Sequence, residues 1–263
     1  MQEVRTSRTH KIEKDMEIDK IYNMDCEEGM KQLPEGYNYC IVTDPPFNVS
    51  YHYDEYADRL DEVDYYLMLT NLFYGRPCVV VHYPEAMYKL AHYMDRAPER
   101  VVSWVYNSNT PRQHRDIAFF GIKPDFTKMH QPYKNPTDSR IAQRIAEGSE
   151  GGMLYDWWEI NQVKNVSKKS KGEIHPCQMP VDVMRRVIGI LPEDYVIVDP
   201  FMGSGTTAIA AIKEKRHFIG FEISKAYYDS ACKRIHAEQS QLDIFTATPS
   251  GTKYQQISIL DII

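Results

Sequence analysis

The sequence predicts an α/β fold, Rossmann-like and doubly wound, in which a mostly parallel sheet carries helices on both faces. The first sign is a set of short, β-branched runs, among them Tyr39 to Thr43 and Pro77 to Tyr83, whose apolar residues are nearly continuous, as in strands buried on both sides. The second is that segments of helical apolar spacing, such as Val63 to Phe73 and Glu85 to Met94, alternate with these runs. The third lies at two strand ends. Asp44-Pro45-Pro46-Phe47 follows one strand and Asp199-Pro200-Phe201-Met202-Gly203-Ser204-Gly205 follows another. The carboxyl edge of such a sheet is where open α/β folds bind ligands.

In chain order, residues 1 to 18 read as a loose arm, Lys20 to Met24 as a strand with Asp25-Cys26 at its edge, and Glu27 to Leu33 as a short helix. The Tyr39 to Thr43 strand comes next, then a polar and aromatic loop, Asn48 to Tyr53. Helix Val63 to Phe73, strand Pro77 to Tyr83, helix Glu85 to Met94 and strand Arg100 to Tyr106 continue the alternation. It breaks at Asn107, and residues 107–174 read as an inserted segment, rich in Asn, Pro, Gly and basic residues, with one short helix at Ser139 to Glu147. From Pro180 onward the pattern returns: helix 181–191, strand 195–198, helix 207–215, strand 217–221 and helix 224–238. The expected organisation is a single domain, 1–263, carrying that insertion.

With 43% hydrophobic and 26% charged residues the composition is that of a soluble globular protein, and no apolar stretch approaches the roughly 20 residues of a membrane helix. The polar start resembles no secretory signal, so the cytoplasm is the expected compartment and no membrane partner is expected. Five scattered cysteines form no CxxC pair, which argues for reduced thiols and against a zinc site; no metal is expected. The net charge of −6 is unevenly spread. Six acids face one Arg59 between Asp54 and Asp64, whereas eleven Lys and Arg stand against seven acids between Asn107 and Lys171. A polyanion would bind in the second window, through residues such as Arg112, Arg115, Lys134, Arg140, Arg144, Lys164, Lys168 and Lys169. Tyr133, Tyr155, Trp157 and Trp158 are interleaved there, suited to stacking on bases, although core packing is the expected fate of at least one Trp. Helix 63–73 carries Tyr65, Tyr66, Leu69 and Phe73, more apolar surface than one face needs, which points either to a homodimer or to a fully buried core helix.

The strand-end motifs carry the chemistry. In Asp44-Pro45-Pro46-Phe47 neither proline donates a hydrogen bond and the second holds the first extended, so carbonyls stay available to a ligand such as an amine; a plain turn with an exposed acid is the alternative. The glycine turn at Gly203-Ser204-Gly205-Thr206-Thr207 lacks the lysine of a phosphate loop, and Ala208 stands where a dinucleotide fingerprint needs its third glycine. A cofactor without phosphates fits better. Glu222, closing the strand 23 residues after Asp199, can accept both hydroxyls of a ribose or can cap the following helix.

Together, the segments DPPF, HPCQMP, VDPFMGSGTTAIAA and HFIGFE resemble the motifs of S-adenosylmethionine-dependent DNA methyltransferases that modify exocyclic amino groups. The order, catalytic motif before cofactor motif, resembles the circularly permuted β group, with target recognition between them, and the resemblance spans about residues 18 to 236. It implies a class I methyltransferase fold, S-adenosyl-L-methionine as cofactor and duplex DNA as partner. Catalysis would lie with Asp44, Pro45, Pro46 and Phe47. The cofactor would lie against Asp25, Cys26, Asp199, Pro200, Phe201, Gly203, Ser204, Gly205, Thr206 and Glu222. His175, Pro176 and Gln178 match an HPTQKP element that closes over it, although Cys177 and Met179 replace its Thr and Lys. In the family an initial Asp accompanies adenine N6 methylation and an initial Ser cytosine N4 methylation, so Asp44 favours adenine. Relatives acting on RNA or protein carry NPP, which counts against those substrates. The resemblance also implies a bacterial or phage-infected host, and leaves open a restriction endonuclease as functional partner.

Overall fold

The structure is a computed structural model that describes residues 16–48, 59–163 and 178–246. An eight-stranded sheet forms its centre, in the order β1-β10-β9-β2-β3-β5-β4-β8. Its first half comprises β1 (Lys20–Tyr22), α1 (Cys26–Lys31), β2 (Asn38–Thr43), α2 (Glu62–Phe73), β3 (Cys78–His82), α3 (Pro84–Tyr93) and β4 (Arg100–Val105). Next come β5 (His114–Phe120), the short β6 (His130–Gln131), α4 (Ser139–Ala146), β7 (Gly152–Met153) and β8 (Trp157–Glu159). The last part is α5 (Val181–Gly189), β9 (Tyr195–Asp199), α6 (Thr206–Lys213), β10 (Phe218–Phe221) and α7 (Lys225–Thr246).

Strand residues feed two cores by alternation. Cys40, Val42, Val79 and Val81 point into one, under α5, α6 and α7; Ile41, Cys78 and Val80 point into the other, under α1, α2 and α3. Each such side chain, fully buried, contributes about 1.5–3 kcal/mol. Local signals set the helix starts. Asp61 accepts from the Val63 N–H at the head of α2, and Asp138 from the Arg140 N–H at the head of α4. Pro84 opens α3, where its missing N–H has no partner to lose.

Two expectations are refined. The alternation of strand and helix does break at Asn107, but the main sheet does not stop there: β5 runs antiparallel between β3 and β4, and β8 adds a parallel edge to β4. The main sheet therefore reaches well into residues 107–174. Of the two readings of α2, the structure supports the core helix: Tyr65, Tyr66, Leu69, Leu72 and Phe73 are buried in this chain's own core, while Val63 and Leu67 stay exposed.

β1, β10, β9, β2 and β3 run parallel, and the winding reverses between β9 and β2. From β9 the chain proceeds outward to β10, and from β2 it proceeds the other way to β3. The turn after β9 and the Asp44 turn after β2 are therefore neighbours at the switch point, the place where the carboxyl edge opens into a crevice.

Candidate active site

Asp199 ends β9, and its carboxylate is used entirely within the fold. Oδ1 accepts from the Thr43 hydroxyl at 2.7 Å and the Phe201 N–H at 3.0 Å; Oδ2 accepts from the Thr207 hydroxyl at 2.6 Å. Burial raises its pKa while these three donors oppose the rise. Asp199 thus ties the two neighbouring turns together, its carboxylate held by donors from both of them. Gly205 follows in left-handed geometry, φ +80°, and begins α6; Gly203 is also left-handed, φ +51°. The Gly203 N–H donates to Glu222 Oε2 at 2.8 Å and the Ser224 N–H to Oε1 at 2.8 Å, so Glu222 is aimed at the glycine turn. A carboxylate oxygen accepts more than one bond, which leaves Glu222 acceptor capacity for a diol.

Around this turn, Pro200, Ser204 and Thr206 are buried and Phe201 is half-buried. The Thr206 hydroxyl donates to the Met179 carbonyl at 3.3 Å, placing the chain just after half-buried Gln178 against the turn. His175 and Pro176 lie outside the described residues, as do Lys164, Lys168 and Lys169. Asn23 at the end of β1 donates to the carbonyls of Glu222 and Ile223 at 2.8 and 2.9 Å. Next to it Asp25, expected at a strand edge, caps α1 by accepting from the Glu27 and Glu28 N–H groups, and Cys26 is the first residue of the helix. Burial pushes the Cys26 thiol up to about 12, so it stays protonated.

Asp44 sits in the adjacent turn with its side chain 18% exposed. Its Oδ1 is buried and has no partner among the described residues, while Oδ2 lies 3.6 Å from Arg115 Nη1. Desolvation raises the Asp44 pKa to about 7, the Arg115 charge working against the rise and Asp199 with it. Behind the turn runs a polar relay. The Tyr83 N–H donates to His82 Nδ1 at 2.7 Å, which places the ring proton on Nε2, 2.9 Å from the Tyr65 oxygen; the Tyr65 hydroxyl donates to the Pro46 carbonyl at 2.7 Å. Burial, aided by Arg115 and Arg112, lowers the His82 pKa to about 3, so the relay holds a neutral imidazole.

The Phe47 ring packs 4.5 Å from the His82 ring and 4.9 Å from that of Tyr83. Asn48, in left-handed geometry at φ +55°, exchanges 2.8 Å hydrogen bonds with the Leu60 backbone through both its amide nitrogen and its oxygen. The turn after β2 is thereby anchored on both sides. Sequence reasoning missed Tyr65 and His82 as site residues; the signal was present in His82, a histidine ending an otherwise apolar strand.

The basic candidates divide. Arg115 is 11% exposed and turned inward on Asp44, not outward to a phosphate. Arg112 lies over the Tyr83 ring at 4.4 Å and pairs with Glu85. Lys134 lies 4.9 Å from the Tyr155 ring and 5.5 Å from that of Trp157, while Arg140 and Arg144 are exposed on α4. Trp157 is 46% exposed and Trp158 is fully buried. Past the ends of β4 and β8, Tyr106, Gln113, His114, Trp157 and Glu159 line an open cavity of about 360 Å³. Among the described residues no cluster could hold a metal ion, and no helix is long and apolar enough to cross a membrane.

The sequence profile of the DNA methylase family matches residues 73–233. The type II methyltransferase M.ScaI of Streptomyces caespitosus is 25% identical over 255 residues, covering 84% of this chain and 83% of its own. M2.DpnII of Streptococcus pneumoniae, also a type II methyltransferase, is 39% identical over 95 residues, 36% of this chain and 35% of its own. Among solved structures, PvuII DNA methyltransferase (cytosine-N4-specific) aligns with a TM-score of 0.59 at 19% identity, covering 86% of this chain and 90% of that one. The M1.HpyAVI–SAM complex aligns at 0.53 and 22% identity, covering 82% and 98%. At these identities the two structures speak for the fold.

Proposed function

We propose that this chain, which belongs to the DNA methylase family, transfers a methyl group from S-adenosyl-L-methionine to the exocyclic N6 of an adenine extruded from duplex DNA. Membership makes it a DNA methyltransferase of the N6-adenine/N4-cytosine type; the adenine target is the finer reading and rests on Asp44. One observation carries the chemistry: Asp44 Oδ1, a buried carboxylate oxygen without a partner among the described residues, at the end of the strand beside the cofactor turn. A buried acceptor left open is costly unless a ligand fills it.

The residues present fit the cofactor. Glu222 has the acceptor capacity for ribose hydroxyls, Gly203 and Gly205 open the turn at the head of α6, and the carboxylates of Asp44 and Glu222 suit a cationic ligand. When bound, the cofactor supplies an electrophilic methyl group on a sulfonium. The target amine is a poor nucleophile because its lone pair is delocalised into the ring. Asp44 Oδ1 and the Pro45 carbonyl would each accept an N–H bond from it, concentrating the lone pair on nitrogen and directing it across the crevice. Tyr65 fixes the Pro46 carbonyl and with it the course of this turn. Extrusion costs a few kcal/mol of stacking and pairing, and Phe47 would recover part by stacking on the base. The stretch of residues 121–163, with Lys134, Tyr155 and Trp157, would touch the duplex, and the protein would work in the cytoplasm of a bacterial or phage-infected cell.

Asp44→Ala is expected to abolish methyl transfer to plasmid DNA while calorimetry still shows cofactor binding; retained transfer would remove Asp44 from catalysis. Mass spectrometry of nucleosides from the treated DNA decides the base: N6-methyladenine is expected, and N4-methylcytosine alone would replace the adenine reading with the cytosine one.

A further inference from the structure

Arg115 comes from β5, the antiparallel strand, and its pairing with Trp104 of β4 brings it to the carboxyl edge among the ends of parallel strands. Its Cζ lies 4.6 Å from the centroid of the Phe47 ring, 5.4 Å from that of Trp104, 5.6 Å from that of Tyr83 and 6.0 Å from that of Tyr106. From the middle of these rings its Nη1 faces Asp44 Oδ2 at 3.6 Å. A guanidinium is flat, delocalised and edged with N–H groups. Those are also the features of an aminated base that stacks on Phe47 and offers its amine to Asp44.

We propose that in the DNA-free protein Arg115 occupies the seat of the extruded base, facing Asp44 with its charge and holding the aromatic walls apart, and that it leaves when the base enters. This rests on the methyl-transfer reading and names Arg115 as a positioning residue for it. The physical case has two parts. Close-packed interiors do not keep a slot of base size open between aromatic walls unless something fills it, and a cation that favours ring faces is a suitable filler. An acid at the depth of Asp44 also needs a nearby positive charge to stay ionised. The base then replaces like with like, since its amine takes over the contact with Asp44 and its ring the contact with Phe47. The released guanidinium would emerge on the side of Arg112, where a phosphate backbone can receive it.

Among the described residues, the titratable and charged groups around Asp44 are Arg115 from β5, Asp199 from β9, His82 and Tyr83 from the end of β3, Tyr65 from α2 and Tyr106 after β4, with Arg112 behind His82. His82 stays neutral, and Asp199 is enclosed by Thr43, Thr207 and the Phe201 N–H. Among the described residues, Arg115 is the group whose removal changes the charge facing Asp44.

The test is the pH dependence of methyl transfer to plasmid DNA from labelled S-adenosyl-L-methionine, from about pH 5.5 to 9, because kcat/KM for DNA reports ionisations of the DNA-free protein and kcat those of the complex. Arg115→Met is expected to move the acid limb of kcat/KM to higher pH by about one unit or more and to leave the acid limb of kcat in place. Arg115→Lys, which keeps the charge, is expected to leave both limbs in place. If both limbs move in Arg115→Met, the arginine stays beside Asp44 in the complex and the proposal fails. If neither moves, its role is structural and the proposal fails equally. Thermal melting checks that each variant folds, and Arg115→Gln, flat and uncharged, gives the same reading should the methionine variant not fold. An unaltered protein inactive on DNA at every pH would overturn the methyl-transfer reading itself, and this inference with it.

Discussion

At the scale of single residues, the carboxyl group of Asp44 is kept at odds with its surroundings. Its folded pKa of about 7 stands above the ordinary 3.8, so the folded protein holds this proton more tightly than the unfolded chain does. The stability this contributes is complete below about pH 4 and is lost as pH rises through 7. At pH 8 the ionised carboxylate therefore burdens the fold. Asp44→Asn, which mimics the protonated form, should stabilise the protein at about pH 8 by roughly 1–4 kcal/mol and make little difference at about pH 4. Denaturant melts at the two pH values measure this; equal stability of the two proteins at pH 8 would contradict it. Asp44 and Glu222 were legible because each stands inside a contiguous motif at a strand end. Tyr65, His82 and the inward course of Arg115 were not, because α2, β3 and β5 bring them together only in the folded sheet.

At the scale of elements, the turn between β9 and α6 has the left-handed glycines that its sequence suggested, and the structure supplies its tolerance. A Cβ added at Gly205 would stand 3.2 Å from the Ala231 Cβ and 3.4 Å from its Cα, with the backbone at φ +80°. Gly205→Ala should cost about 1–3 kcal/mol through left-handed strain and crowding against α7, and should weaken S-adenosyl-L-methionine binding measured by calorimetry. Unchanged melting and binding would show that α7 yields there. β5 escaped the sequence reading for an equally physical reason. Its first half, His114-Arg115-Asp116, is polar and only partly buried, with Arg115 turned to Asp44, while Ile117 to Phe120 is fully buried. Such a strand, polar at one end and reached through a hairpin, lacks both the apolar continuity and the helix spacing that marked its neighbours. Strand β8, three residues long, carries too little pattern to read.

At the scale of the molecule, a net charge of −6 coexists with a basic region that includes exposed Lys134, Arg140 and Arg144. If these residues meet the duplex, their joint replacement by alanine should weaken DNA binding nearly uniformly across sequences. It should also flatten the slope of log affinity against log salt by about 1 to 3. An unchanged slope in a fluorescence-anisotropy salt titration would place the phosphate contacts elsewhere. The doubly wound architecture itself was legible because alternation of strand and helix recurs on both sides of the middle region. Where that region joins the sheet depends on long-range pairing, which no local pattern encodes.

The order of strands also bears on how the chain is made. β1 pairs with β10 and not with β2, and Asn23 is fastened to the carbonyl of Glu222, 199 residues later. Two strands of the late part, β10 and β9, lie between the first two of the early part. During synthesis the first strand therefore has no edge to join until β10 has left the ribosome. Contacts of such sequence separation close slowly and only after their loop entropy has been met. The crevice at the switch point, with Asp44 on one wall and the glycine turn on the other, is accordingly among the last features that a newly made molecule acquires.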